Sequence, residues 1–215
     1  YPDLASAITA LNAIPGGVTS SPTTITVTGT ETAPSGGFTI TATGTVANPI
    51  VIDGQTTTTI TAFTPQASGV LHDAIFEIVG GDYITINGFT MLEDPANTTT
   101  AAGTNNMTEF GVALFYATTT NGAQNNTISN NTIDLNRTYQ NTFAIYSNST
   151  HSSTVMTTTA SATTTAGGNS GLTITGNSIT DVNNGIVIVG PTAAADMNDP
   201  ITIGGTAPNA NTLTN

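Results

Sequence analysis

The chain of 215 residues has no cysteine and no tryptophan, and Arg137 is its single Lys or Arg side chain. The absence of cysteine excludes a disulfide framework and a thiolate site. With a net charge of -12, the protein would repel a phosphate backbone and an anionic lipid surface. No apolar run approaches the roughly 18 residues that a membrane span needs. We therefore expect neither nucleic-acid binding nor membrane insertion.

Hydroxyl and amide groups supply most of the polar character of the chain. Charged residues make up only 7% of the sequence, hydrophobic residues make up 37%, and 48 positions are threonine. Threonine is β-branched and favours strands. Because Ile, Val, Leu and Phe recur in short bursts, the composition favours one ordered, strand-rich domain over disorder.

The only convincing helical pattern lies at residues 4–14. Leu4, Ile8 and Leu11 follow the spacing of one helix face, and Pro15-Gly16-Gly17 would end the helix. We predict a cap helix within residues 1–17 and, in residues 18–215 of the same domain, repeated strand coils with Thr/Asn-rich loop insertions at 93–109 and 149–170. The chain starts at Tyr1 without a charged-then-apolar leader, which predicts a secreted protein whose signal peptide has been removed, located outside the cell or at its surface.

Short segments rich in Thr, Ile and Val, each bounded by Gly, Asn, Asp or Pro, read as strands. They cover residues 23–29, 38–44, 49–54, 58–63, 74–81, 83–91, 111–117, 125–135, 143–148, 171–179, 185–190 and 200–205.

These segments contain an irregular internal repeat. The stretches YITINGFTML (83–92), NTISNNTIDL (126–135) and LTITGNSITD (172–181) align, and the aliphatic position recurs at Ile86, Ile128, Ile174 and Ile203, spaced by 42, 46 and 29 residues. A second class of strand, FEIVGG, ALFYA, AIYSN and IVIVG, alternates with the first. This pattern predicts a parallel β-helix, a solenoid, rather than a sandwich of hairpins, whose two-residue Asn-Gly and Asp-Gly turns are scarce here.

The doubled Asn-Asn-Thr-Ile motif at residues 125–133 suits the corners of such a solenoid. Asparagine tolerates a left-handed backbone, and its amide can bind neighbouring backbone or an asparagine of the next repeat. We expect Ile128 and Ile133 to point into the core on either side of Asn130 and Asn131.

Several segments resemble a known family. YPDLASAITALNA, NPIVIDG, FEIVGGDYITINGFTM, NNTISNNTIDL and LTITGNSI are similar to right-handed parallel β-helix proteins secreted by Bacteroidota and related bacteria, kin of the pectate-lyase-like solenoids. The resemblance covers most of the chain and implies an all-β, right-handed parallel β-helix with an N-terminal capping helix. It indicates a fold more than an activity, since this scaffold hosts lyases, hydrolases, adhesins and structural modules.

The catalytic residues that the resemblance implies are largely missing. Lyases of this kind use a Lys or Arg base, often with Ca²⁺, and only Arg137 could serve; a lone arginine more often pairs with an acid such as Asp134. Glycoside hydrolysis needs two suitably spaced carboxylates, and the adjacent Asp pair and Gly-His-Gly signature of solenoid hydrolases are absent. His72 and His151 lie far apart in the sequence. We therefore assign no catalytic residue.

We predict no cofactor, although carboxylates near carbonyl-rich turns at residues 79–88 and 92–98 leave Ca²⁺ open beside the simpler interpretation of solvated turn acids. The threonine arrays leave ice binding open as a further function.

The closing residues, 211–215 (NTLTN), resemble the start of another repeat, whereas the helix at 4–14 can cover the opposite end. Two explanations stay open: the sequence is a piece of a longer protein, or its open end docks onto another copy or another segment. We expect a non-catalytic extracellular structural or adhesive solenoid that self-associates end to end into a fibre or surface layer. The alternative is a carbohydrate-active enzyme or a polysaccharide-binding module that contacts polysaccharide or a cell surface.

Overall fold

The computed structural model describes residues 1–66, 73–101, 104–149, 151, 156–193 and 198–214, which form an all-β fold with one short α-helix. The helix, α1, spans Leu4–Asn12 and a 3-10 turn spans Thr165–Gly167. The strands are β1 (Thr23–Thr26), β2 (Thr30–Thr32), β3 (Phe38–Ile40), β4 (Ile50–Thr61), β5 (Ala74–Val79), β6 (Ile84–Leu92), β7 (Phe110–Phe115), β8 (Thr127–Ser129), β9 (Thr132–Asp134), β10 (Phe143–Asn148), β11 (Leu172–Thr175), β12 (Ser178–Thr180), β13 (Asn184–Ile188), β14 (Ile201–Ile203) and β15 (Thr212–Thr214). In the described part of the chain, no helix has the length and apolarity to cross a membrane.

Helix α1 begins at a side-chain cap and buries the face that the sequence predicts. The Ser6 backbone N–H donates to Asp3 Oδ1 at 2.7 Å, which satisfies one of the free N–H groups at a helix start. Leu4, Ile8 and Leu11 are buried in the main core, as expected. The helix ends at Asn12, two residues before the predicted end.

All paired strands run parallel and form two sheets. In the large sheet of ten strands, β14, β11, β8, β6, β9, β12 and β15 follow one another, and β4 pairs with β1, β2 and β6. In the small sheet the order is β13, β10, β7, β5 and β3. From β4 onward the chain alternates between the two sheets, so the two predicted strand classes are confirmed.

The register confirms the predicted repeat. Ile86 lies opposite Ile128, which lies opposite Ile174, and Ile174 lies opposite Ile203. The closing segment forms β15 and pairs in parallel with β12. Several strand boundaries differ from the prediction. The segments 49–54 and 58–63 form the single strand β4, with a register shift between Asp53 and Thr58, and β2 was not predicted. The segments 125–135 and 171–179 each divide into two strands, β8 with β9 and β11 with β12.

The two asparagines of each pair have different roles at the corner. Asn125 and Asn130 each have a φ of 56°, which is the left-handed backbone expected at the bend. Asn130 stands in line with Gly88 (φ 72°) and Gly176 (φ 68°) of the neighbouring repeats, so each repeat places a residue that tolerates this conformation at the bend.

The second asparagine of the pair belongs to an asparagine ladder, Asn131, Asn177 and Asn211. The Asn131 N–H donates to Asn177 Oδ1 at 3.1 Å, and the Asn177 N–H donates to Asn211 Oδ1 at 3.0 Å. Each side-chain amide donates to a carbonyl of the preceding repeat: Ile86, Ile128 and Ile174, respectively. Ile128 and Ile133 on either side of the corner are fully buried, as predicted.

The apolar residues form two clusters. The main core lies between the sheets and takes in α1 and the inward side chains of both sheets. A second, aromatic cluster lies on the other face of the small sheet: Ala74, Phe110, Ala113, Phe115, Phe143 and Tyr146. The central strands of the small sheet, β5, β7 and β10, are therefore buried on both faces, which places several polar side chains in an apolar setting.

Candidate functional site

Arg137, the sequence-based candidate for a catalytic base, lies in a surface ion pair. Its Nε is 3.4 Å from Asp181 Oδ1, and both side chains are about half exposed. The partner is thus Asp181 of a neighbouring repeat rather than the expected Asp134. Pairs of this kind contribute little to stability, and the charge of Arg137 is already matched by a carboxylate.

A buried pair that sequence reasoning missed joins Glu109 to His151. Glu109 directly precedes β7, and His151 follows β10, the strand that pairs with β7. The His151 Nε2 lies 2.9 Å from Glu109 Oε2, and the Tyr139 hydroxyl donates to Glu109 Oε1 at 2.9 Å. Glu109 and His151 are 1% and 2% exposed, so solvent does not screen this pair.

Aromatic rings enclose the His151 imidazole. Its ring centroid lies 4.9 Å from that of Phe110, 5.7 Å from Phe143 and 5.1 Å from Tyr146, at steep angles of 82°, 83° and 78°. These three rings belong to the aromatic cluster on the outer face of the small sheet. His151 therefore packs against the aromatic cluster on the outer face of strands β7 and β10.

Three more acids lie near this pair: Asp73 and Glu77 are buried, and Glu93 is partly buried. Burial, reinforced by Glu109, Glu77 and Glu93, raises the pKa of Asp73 to about 8. Burial also raises the pKa of Glu93. Burial and the neighbouring Glu109 raise the pKa of Tyr139. The raised pKa values of Asp73 and Glu93 have a common cause, which is that burial disfavours the charged carboxylate.

Glu93 and Asp82, from the segments left open for Ca²⁺, bind protein donors instead. Glu93 accepts from the Thr108 N–H at 2.8 Å, the Thr108 hydroxyl at 2.9 Å and the Asn97 amide at 2.8 Å. Asp82 accepts from the Gln124 N–H at 2.7 Å. Within the described ranges, no three His, Asp or Glu side chains are arranged to hold a metal ion.

The chemistry of the Glu109–His151 pair is limited by access. A histidine beside a carboxylate can move protons, but a substrate must reach it. A cavity of about 370 Å³ lies between α1 and β1, and neither Glu109 nor His151 lines it. Glu109 instead links the start of β7 to Tyr139, which follows β9, and to His151, which follows β10.

Comparison with family models, curated proteins and solved structures finds no match to this chain. Function must therefore be argued from geometry.

The repeat does not predict the buried pair. Glu109 precedes β7 and is aligned with Thr142, whereas His151 lies beyond the end of β10. The apolar strands β7 and β10 are the available sequence signal, because strands buried on both faces read as continuous apolar runs. His72, the other histidine, lies outside the described residues.

Proposed function

We propose that this chain is a right-handed parallel β-helix with a non-catalytic structural or adhesive role outside the cell. The alternation of the chain between two parallel sheets supports the solenoid, as do the aliphatic columns that run from repeat to repeat. We infer a right-handed coil because parallel crossover connections strongly prefer that handedness.

The enclosure of Glu109 and His151 is the observation that carries the non-catalytic role. They form the one histidine–carboxylate pair among the described residues, and both side chains are buried, with His151 packed against Phe110, Phe143 and Tyr146. Arg137, the single Lys or Arg, is held by Asp181 at the surface. A lyase or hydrolase needs an exposed cleft where such groups converge.

The outer face of the large sheet supports an adhesive role. Hydroxyl-bearing residues stand in register across six strands, as Thr30, Thr59, Thr90, Thr132, Ser178 and Thr212. A column of this kind rises by about 4.8 Å per strand, so it presents a regular row about 24 Å long. Such an uncharged row suits contact with another hydroxyl-rich surface, including a polysaccharide, which is also the observation that favours the runner-up, a polysaccharide-binding module.

The test combines imaging with a turnover screen. Electron microscopy of the purified chain should reveal end-to-end assemblies, and incubation with acidic and neutral polysaccharides should yield neither new reducing ends nor unsaturated products. Turnover that disappears in Arg137→Ala would establish an enzyme and overturn the proposal. Binding to a polysaccharide without turnover would favour the runner-up.

A further inference from the structure

Both ends of the large sheet present an unpaired strand edge. Within the described residues, β1 pairs only with β4, and β14 pairs only with β11. An open edge offers N–H and C=O groups to any further strand. The two edges belong to the same set of columns, so they can be compared position by position.

At the β1 end, α1 leaves a groove beside the strand. The groove has a volume of about 370 Å³ and is lined by Tyr1, Pro2, Asp3, Leu4, Ala7, Thr23–Thr28 and Glu31. The N–H groups of Thr23 and Val27 donate toward β4, to Pro49 and Asp53. Because alternate residues of a parallel strand face opposite sides, the N–H and C=O groups of Thr24 and Thr26 face the groove.

The floor of the groove is partly apolar. Ile25 packs against the main core but is only partly buried, and Leu4 and Ala7 of α1 line the same space. The groove thus combines free backbone groups with an aliphatic contact, which are the two features that strand addition uses.

At the β14 end, the matching residues are exposed. Ile203 closes the column that starts at Ile25 and passes through Ile52, Ile86, Ile128 and Ile174. Its side chain is 54% exposed, whereas the column members from Ile52 to Ile174 are fully buried. Thr202 likewise closes the outward column that starts at Thr24. Strand β14 carries no charge, so it can enter an acidic groove without repulsion from its own side chains.

We propose that the groove beside β1 receives β14 of a second copy as an additional parallel strand, with Ile203 of that copy over Ile25 and its Thr202 over Thr24. This inference rests on the proposed self-associating function and names the surface that carries it. The added strand extends the large sheet from one molecule into the next, continues the aliphatic column and covers the exposed Ile203. Because the contact joins different surfaces of the two copies, it propagates rather than closing into a dimer.

Glu31 restrains this contact. It occupies the first position of the column that continues through Ile60, Met91, Ile133 and Ile179 to Leu213. In the proposed stack, Glu31 meets Leu213 of the second copy, which is 56% exposed. An inward-pointing charge at an edge opposes pairing, so Glu31 limits the strength of assembly.

Sedimentation velocity of the full chain at matched concentration and salt tests the contact. We expect Glu31→Leu to strengthen association at least tenfold and Ile203→Glu to abolish it. Met156→Glu is the matched control, since Met156 is also an exposed apolar residue, at 43%, away from both edges; it should behave as the unmodified chain.

The absence of native cysteine makes cross-linking a second, independent readout. A chain carrying Thr24→Cys and Thr202→Cys, treated with a short thiol-reactive cross-linker, should give a ladder of covalent oligomers. A chain carrying Thr24→Cys and Thr127→Cys should not, because Thr127 lies in the middle of the sheet.

The outcomes separate this inference from the proposed function. Assembly that survives Ile203→Glu, or oligomers that form without cross-links between positions 24 and 202, would overturn the contact and leave a self-associating protein. Monomers throughout, Glu31→Leu included, would overturn both.

Discussion

The two sheets differ in how their faces are buried. The large sheet buries one face only, so its strands alternate between core and surface, as in β6, where Ile84 and Ile86 are buried and Thr85 is partly exposed. The small sheet buries both faces of its central strands, and every residue of β7 and β10 is buried. Its outer strands, β3 and β13, are partly exposed.

The difference shows where polar groups become costly. On the large sheet, outward threonines keep contact with water. Above the small sheet, Glu109, His151 and Tyr139 must satisfy one another, because an unpaired buried polar group destabilises the fold. The small sheet therefore holds the side chains whose alteration should have the strongest effect.

The largest expected effect comes from removing a ring of the aromatic cluster. Phe110 is fully buried and contacts Phe115, Phe143, Tyr146 and His151. We expect Phe110→Ala to lower the free energy of unfolding by about 3–5 kcal/mol, measured by denaturant titration.

Phe89→Ala in the main core removes the same volume and serves as the reference. A loss below about 1 kcal/mol for Phe110 with a normal loss for Phe89 would show that the outer cluster is not packed as a core.

The next effect concerns pH. The Asp73 pKa is raised from 3.8 to about 8, so between these values the folded state holds a proton that the unfolded state has lost. The contribution of Asp73 to the free energy of unfolding is then greatest below about pH 4 and falls as pH rises toward 8. We expect Asp73→Asn to remove a part of this fall on the order of 2 kcal/mol, seen as a flatter stability profile. Equal slopes for both chains would contradict the assignment.

We expect substitutions at the adjacent Asn130 and Asn131 to change the free energy of unfolding by different amounts. Asn131→Ala removes the acceptor of the Phe89 N–H and the donor to the Ile86 carbonyl, and we expect a loss of about 2–3 kcal/mol. Asn130→Gly keeps the left-handed backbone and should change stability by less than about 1 kcal/mol. Thermal unfolding of the two variants side by side measures the difference. Similar losses would refute the division of roles at this corner.

The smallest effect belongs to the outer face of the large sheet. Thr127 stands in an outward column between Thr85 and Thr173, and Thr127→Val should change the free energy of unfolding by less than about 0.5 kcal/mol. Chemical denaturation checks this value, and a loss as large as that of Asn131→Ala would mean that this face is covered.

Local signals predicted the strands, the helix and the repeat well. Alternation and turn residues identify each strand, and the recurring aliphatic position aligned Ile86 with Ile128 and Ile174 correctly because parallel pairing preserves the register of equivalent residues. The left-handed role of Asn130 also follows from its chemistry.

The buried site could not be read in the same way. Whether Glu109 is exposed depends on which segments cover the small sheet, and that is decided by contacts between distant residues such as His151 and Phe110. An isolated acid such as Glu109 reads as a surface group by default. Arg137 was placed beside Asp134 because they are near in sequence, whereas its partner Asp181 is supplied by the next repeat.

The asparagine ladder has a direction. Each side-chain oxygen accepts an N–H of the preceding repeat and each side-chain amide donates to a carbonyl there, while the amides of Asn131 and Asn177 also donate forward to the oxygen of the next member. At this ladder, loss of a repeat from the C-terminal side would leave a backbone N–H without its acceptor, whereas loss from the N-terminal side would free a side-chain amide, which can turn toward water. Erosion of this fold should be asymmetric, with each repeat protected by its successor.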